Sequence, residues 1–200
     1  MKKAILHLKR SDPVLAAIIG RVGEYSIRFR EPDFETLVKS IVSQQLSGRV
    51  ATVIFGRLSD AVGGKMTPAS ILNLRPSRMR KLGLSGSKTA YIRDLARHAR
   101  DGSVVFEELA GLPDEEVIAR LTKVKGIGVW TVHMFLMFAL RRHNVLPTGD
   151  LGIRNAIRKA YALEEMPLPK DVEAIAAKWH PYCTVASWYL WRSLDTEAEL

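Results

Sequence analysis

The chain predicts an all-α protein of two helical lobes, and three observations carry that prediction. Apolar residues recur at spacings of three and four through most of the 200 residues, and no stretch shows the alternation of a half-buried strand. Capping residues stand where the apolar runs begin, at Asp12-Pro13, Asp33, Ser47 and Thr67-Pro68. Glycines stand where they end, at Gly23, Gly63-Gly64 and Gly102. A chain of this length can bury a substantial core in one domain or two packed lobes.

A short helix is expected over Ala4 to Lys9. Asp12 and Pro13 then supply an N-cap and a first helical position for a helix reaching Val22. The segment from Tyr25 to Arg30 reads as irregular. Asp33 caps a helix whose inner face is Leu37, Val38, Ile41 and Val42. The polar break Ser43-Gln44-Gln45-Leu46-Ser47 follows, and on spacing alone it is an ordinary connection. Ser47 caps the next helix, Gly48 to about Ala61, with Val50, Val53, Ile54 and Leu58 expected inward.

Short helices are expected from Thr67 to Leu74 and from Pro76 to Leu82, and a longer one from Ser87 to Arg100. Ser85, Ser87 and Lys88 stand at its start as a possible anion contact, or Ser87 as a plain cap. A single turn spans Phe106 to Leu109. A helix with acids in its first turn runs from Leu112 to Leu121, and an apolar one from Trp130 to Leu140. Asp150 begins a helix to about Ala162, with Ile153, Ile157 and Tyr161 inward. The last two helices are expected over Lys170 to Trp179 and Pro181 to Leu194, with a frayed polar end. Residues 34–142 form the first expected lobe, of six helices; 1–33 together with 143–200 form the second.

Thirty Lys and Arg against 21 Asp and Glu give a formal charge of +9, which favours a polyanionic partner. A single cysteine, Cys183, excludes an internal disulfide and any thiolate-built zinc or iron–sulfur centre; it reads as a packed core thiol. Met-Lys-Lys precedes an apolar run too short for a secretory leader, and no run is long enough to span a bilayer. The expectation is an intracellular protein, cytoplasmic or nucleoid-associated, monomeric and without a membrane partner.

The chemistry concentrates in Val124-Lys-Gly-Ile-Gly-Val-Trp-Thr-Val132 and in Leu146-Pro-Thr-Gly-Asp150. Gly126 and Gly128 lie between two helices, where glycine lets the backbone turn tightly and approach a ligand. The second helix opens with N–H groups that lack helical acceptors, and its dipole favours an anion. Lys123 and Lys125 flank the turn and no acid is near it in sequence, so a phosphate is the expected guest.

These stretches resemble the helix-hairpin-helix and the following Gly/Pro-rich loop with aspartate of a superfamily of DNA base-excision glycosylases. Gly-Ile-Gly-Val-Trp-Thr with Pro-Thr-Gly-Asp-Leu-Gly is similar to the 3-methyladenine DNA glycosylase II branch, over roughly Asp12 to Leu194. The resemblance is to members without the extra N-terminal β domain that others carry, and none is expected here. The resemblance implies an active-site cleft between the lobes, faced by Asp150. It also implies a monofunctional glycosylase acting on alkylated purines in double-stranded DNA during base excision repair. Asp150 would stabilise the oxocarbenium ion and position water. Read alone, Asp150 is equally an N-cap.

By the same resemblance Trp130, Met134, Leu151 and Tyr182 would form the base pocket, with Trp179 and Trp188 as further aromatics. An indole face suits a cationic alkylated base. Broad-pocket relatives carry Tyr where Met134 and Leu151 stand. Bifunctional relatives carry a lysine where Trp130 stands, so no β-lyase step is expected. DNA contacts would come from Gln44, Gln45, Leu46, Ser47, Ser87, Lys88, Lys123, Lys125, Gly126, Gly128, Val129 and Arg154. Gln45 or Leu46 would fill the gap left by the flipped nucleotide. The resemblance implies no cofactor beyond a monovalent ion at the hairpin carbonyls of Val124 and Ile127. His133 reads as a surface or phosphate-side histidine. Two alternatives stay open: a non-catalytic hairpin DNA-binding protein, or a glycosylase for mismatched or oxidised bases.

Overall fold

The structure, a computed structural model, describes residues 1–197; the far end of the polar tail expected to fray lies outside them. The helices are α1 (Lys2–Ser11), α2 (Pro13–Val22), α3 (Phe34–Ser43), α4 (Gly48–Ala61), α5 (Pro68–Asn73), α6 (Pro76–Lys81) and α7 (Gly86–Arg100). They continue with α8 (Phe106–Leu109), α9 (Asp114–Leu121), α10 (Val129–Phe138), α11 (Leu151–Ala160), α12 (Pro169–Ala176) and α13 (Cys183–Glu197), with a 3-10 turn at Ala177–Trp179. No strand occurs among the described residues. No helix among them is long and apolar enough to cross a membrane.

Contacts divide the chain into two compact units, Met1–Phe29 with Arg141–Leu200, and Arg30–Leu140. The second unit holds α3 to α10, eight helical segments rather than six, because α5, α6 and α8 are four to six residues long.

In the first unit α13 is the central helix, packed on α2 and α11. Leu8, Leu15, Ile18, Ile153, Ile157, Trp179 and Tyr189 fill the core. A carboxylate lies inside it. Asp12 caps α2 through the N–H groups of Val14 (3.0 Å) and Leu15 (3.2 Å). Its second oxygen accepts from Trp179 Nε1 (2.7 Å) and from the Tyr161 hydroxyl, with Lys178 Nζ 3.3 Å away. Burial opposes this charge, but the donors together outweigh it and hold the carboxyl below its usual range. Cys183 is fully buried, and desolvation pushes its thiol up to about 12.

In the second unit α7 packs on α3, α5 and α6, and α9 packs on α10. Lys88 on α7 donates to the carbonyls of Val42 (2.8 Å) and Gln44 (2.6 Å), satisfying groups that the end of α3 leaves open. Arg93 does the same for the end of α5, reaching the carbonyls of Ile71, Leu72 and Leu74. On α4 the inward face is Ala51, Ile54 and Leu58. Val50 and Val53, expected inward, are 45% and 49% exposed, because they fall on the flank away from α3 rather than on the buried stripe. Ser85, not Ser87, caps α7, accepting from the Lys88 N–H at 3.1 Å.

Candidate functional site

Asp150 is the N-cap of α11. Its Oδ1 accepts the Ile153 N–H at 2.8 Å and the Trp191 Nε1–H at 2.8 Å, and the residue is 9% exposed. The approach is a tight turn, with the Asp150 N–H donating to the Pro147 carbonyl at 2.9 Å. Helix α13 fixes the loop from both ends. The Thr184 hydroxyl donates to the Arg142 carbonyl (2.7 Å) and accepts from the Val145 N–H (3.0 Å). Trp191 lies seven residues further along the same helix face and holds the carboxylate. Gly152 keeps the space this needs: a methyl group there would stand 3.0 Å from Trp191 Cδ1 and 3.1 Å from Asp150 Oδ1.

Trp191 is absent from the sequence prediction. The aromatics named instead are placed elsewhere in the first unit. Trp179 is fully buried, donating to Asp12, and Trp188 is buried edge-on against Tyr25. Tyr182 is half-buried and packs edge-on against His7. Leu151 is 69% exposed at the start of α11, and Arg154 donates through Nε to the Pro167 carbonyl at 2.7 Å.

The second unit contains a cavity of about 960 Å³. Its walls include Tyr91, Trp130, Met134 and Phe138, with Arg30, Ser40, Gln44, Gln45, Ser87 and Lys88 as polar lining. Trp130 and Met134 are where an apolar ring could be received; Arg30, Tyr91 and Phe138 are additions to the predicted set. Trp130 is 51% exposed although α10 is apolar on nearly every side. His133 is half-buried, and desolvation lowers its pKa despite the opposing field of Asp114.

The hairpin turn joins α9 to α10. Gly126 has φ of +81°, and a Cβ there would lie 2.1 Å from the Tyr91 ring, so only glycine fits. Gly128 is the N-cap of α10, and exposed Val129 is its first residue. Lys123 and Lys125 are exposed beside it. No acid is near the turn in sequence, but the fold brings one there: Asp94 of α7 accepts the Lys125 N–H at 2.9 Å. Val124 and Ile127 are buried, and the Val124 carbonyl accepts the Ile127 N–H at 3.1 Å, closing the turn.

The Gln44–Ser47 break is tied to this hairpin. Gln44 Nε2 donates to the Gly126 carbonyl at 2.8 Å, while Lys88 holds the Gln44 carbonyl. Lys88 therefore spends two of its three donors on the backbone and lies half-buried, with desolvation lowering its pKa. Next to this anchor Gln45 takes φ of +57°, a strained conformation for a residue with a side chain. Gln45, Leu46 and Ser47 are all exposed.

A helical chain with a glycine-built hairpin, and a helix-capping aspartate shortly after it, defines a helix-hairpin-helix protein of the base-excision type. The chain belongs to the HhH-GPD superfamily of base excision DNA repair proteins, whose model matches residues 38–181. It is 36% identical over 200 aligned residues to DNA-3-methyladenine glycosylase 1 of Schizosaccharomyces pombe, covering 96% of this chain and 87% of the relative. The structure of a DNA-3-methyladenine glycosidase from Bacillus halodurans matches with a TM-score of 0.88 at 37% identity, covering 98% of this chain and 91% of that one. A 3-methyladenine DNA glycosylase of S. pombe in complex with abasic DNA matches with a TM-score of 0.84 at 36% identity, covering 94% of this chain and 95% of that one. Trp191 lies beyond the stretch matched by the family model.

Proposed function

We propose that this chain is a monofunctional DNA glycosylase that hydrolyses the N-glycosidic bond of alkylated purines, 3-methyladenine and 7-methylguanine among them, in double-stranded DNA. The observation that carries the reading is the Asp150 carboxylate, held at one oxygen by Ile153 and Trp191 at 2.8 Å each. A carboxylate fixed in this way needs no reorganisation when positive charge appears beside it. The names of the similar proteins, and the abasic DNA in one of their structures, support the substrate class.

In the reaction the bond between C1′ and the base nitrogen breaks and its electron pair leaves with the base. An alkylated purine is cationic, so it departs neutral without a protonating acid, and a second carboxylate of the kind ordinary glycosidases use is not required. Asp150 stabilises the oxocarbenium ion left on the sugar. Water adds to C1′, and its proton passes to the carboxylate or to solvent. Trp130 offers its indole face to the cationic base. With tryptophan where a nucleophilic lysine would stand, no Schiff base forms and the strand is not cut.

The hairpin amides with Lys123 and Lys125 hold the DNA backbone, and Gln45 or Leu46 enters the space the nucleotide vacates. A carbonyl oxygen has two lone pairs, so the Val124 and Ile127 carbonyls can hold a monovalent cation without opening the turn; that ion would add positive potential for a phosphate. Mass spectrometry of bases freed from methylated genomic DNA tests the reading. It predicts 3-methyladenine and 7-methylguanine as free bases with strands uncut and no borohydride-trapped adduct. Tight binding with no base released would leave a DNA-binding protein only.

A further inference from the structure

A second groove, separate from the large cavity, runs along the opposite flank of α7 and is rich in cations. Its volume is about 320 Å³. Arg80 of α6, Arg93 and Arg97 of α7 and Lys125 of the hairpin line it against one carboxylate, Asp94. Arg93 and Asp94 serve the protein itself: Arg93 caps α5, and Asp94 accepts the Lys125 N–H and lies 3.7 Å from Arg97. Arg80 and Lys125 are exposed, as is Arg97, whose pair with Asp94 is of the solvent-exposed kind that contributes little. The groove begins at Gly86 in the first turn of α7, where the helix dipole favours negative charge. Thr89 also lines it, is only 4% exposed, and its hydroxyl has no hydrogen-bond partner among the described residues. From Gly86 to Arg97 the lining extends about 16 Å along the helix.

We propose that this groove holds the phosphodiester backbone of duplex DNA flanking the excised nucleotide, extending the footprint from the hairpin along α7. The inference rests on the reading that DNA is the substrate. The chemistry is that of a phosphate track: spaced guanidinium groups, one lysine at the hairpin end and one hydroxyl within reach of the floor, with no aromatic side chain to stack a base.

The test is a set of anisotropy titrations across salt concentrations, with lesion-centred duplexes of about 10 and about 25 base pairs. Arg80→Ser/Arg97→Ser is compared with the unaltered protein and with Lys170→Ser, a charge change at an exposed position on α12. The double variant is expected to bind the long duplex about tenfold more weakly and to lose roughly 0.9 from the salt slope for each phosphate contact removed, and to bind the short duplex as before. An unchanged slope on the long duplex, or an equal loss on both duplexes, overturns the proposal. So does calorimetric binding of inorganic phosphate alone that the double variant abolishes while leaving the long-duplex slope intact, which would make this a small-anion site. Base release is read in parallel. If the unaltered protein frees no base, the glycosylase reading fails while the salt slopes still decide this one.

Discussion

At the scale of single residues, the carboxylate of Asp150 is oriented by an indole 41 positions away. Replacing Trp191 with Phe keeps most of the ring and removes the donor. One hydrogen bond to a charged group contributes about 1.5 kcal/mol, so single-turnover base release should fall about tenfold with DNA affinity unchanged. An equal fall in affinity would show that the ring supports the fold instead. The caps at Asp12, Asp33 and Asp150 were legible in the sequence because a capping carboxylate and the N–H groups that donate to it lie two or three residues apart. Trp191, the two Lys88 contacts and the Asp94 contact were not, since their partners are 41, 46 and 44, and 31 positions distant. No local pattern records such pairings. The partial burial of His133 was illegible for a related reason: it depends on how α9 and α10 pack together, which the local sequence does not state.

At the scale of elements, the hairpin depends on a packed ring as much as on its glycines. Gly126→Ala must both adopt φ of +81° and displace Tyr91. A cost of about 2 kcal/mol is expected, lowering Tm by roughly 4–8 °C in a calorimetric scan of a chain this size. Adding Tyr91→Ala should recover part of the loss, because the clash goes and the backbone strain stays. No recovery would mean that strain alone accounts for it. The hairpin was readable from Gly126 and Gly128 between two apolar runs, and α10 from its composition. The exposed faces of α4 were not: Val50 and Val53 fit the helical period, and only the packing of α3 decides which flank is covered. Tyr91 and Arg30 were illegible in the same way, since they reach the cavity from segments whose local pattern gives no sign of it.

At the scale of the whole molecule, the all-helical class followed from periodicity, while the anchoring of the first unit on a buried carboxylate did not. Asp12 has a folded-state pKa below its ordinary value of 3.8. Its stabilising contribution is therefore fully present above that value and is lost as pH falls further, through the lowered folded pKa. Asp12→Asn should cost about 3 kcal/mol near pH 7, and the gap in denaturant midpoint should narrow below about pH 3.8. A gap independent of pH would assign the loss to packing. The central claim concerns the other buried aspartate. Its most direct test is single-turnover excision from a duplex carrying one 7-methylguanine, comparing the unaltered protein with Asp150→Asn at saturating concentration. A fall in rate of about a thousandfold or more with unchanged duplex affinity is predicted; a rate within a few-fold of the unaltered protein would contradict the account.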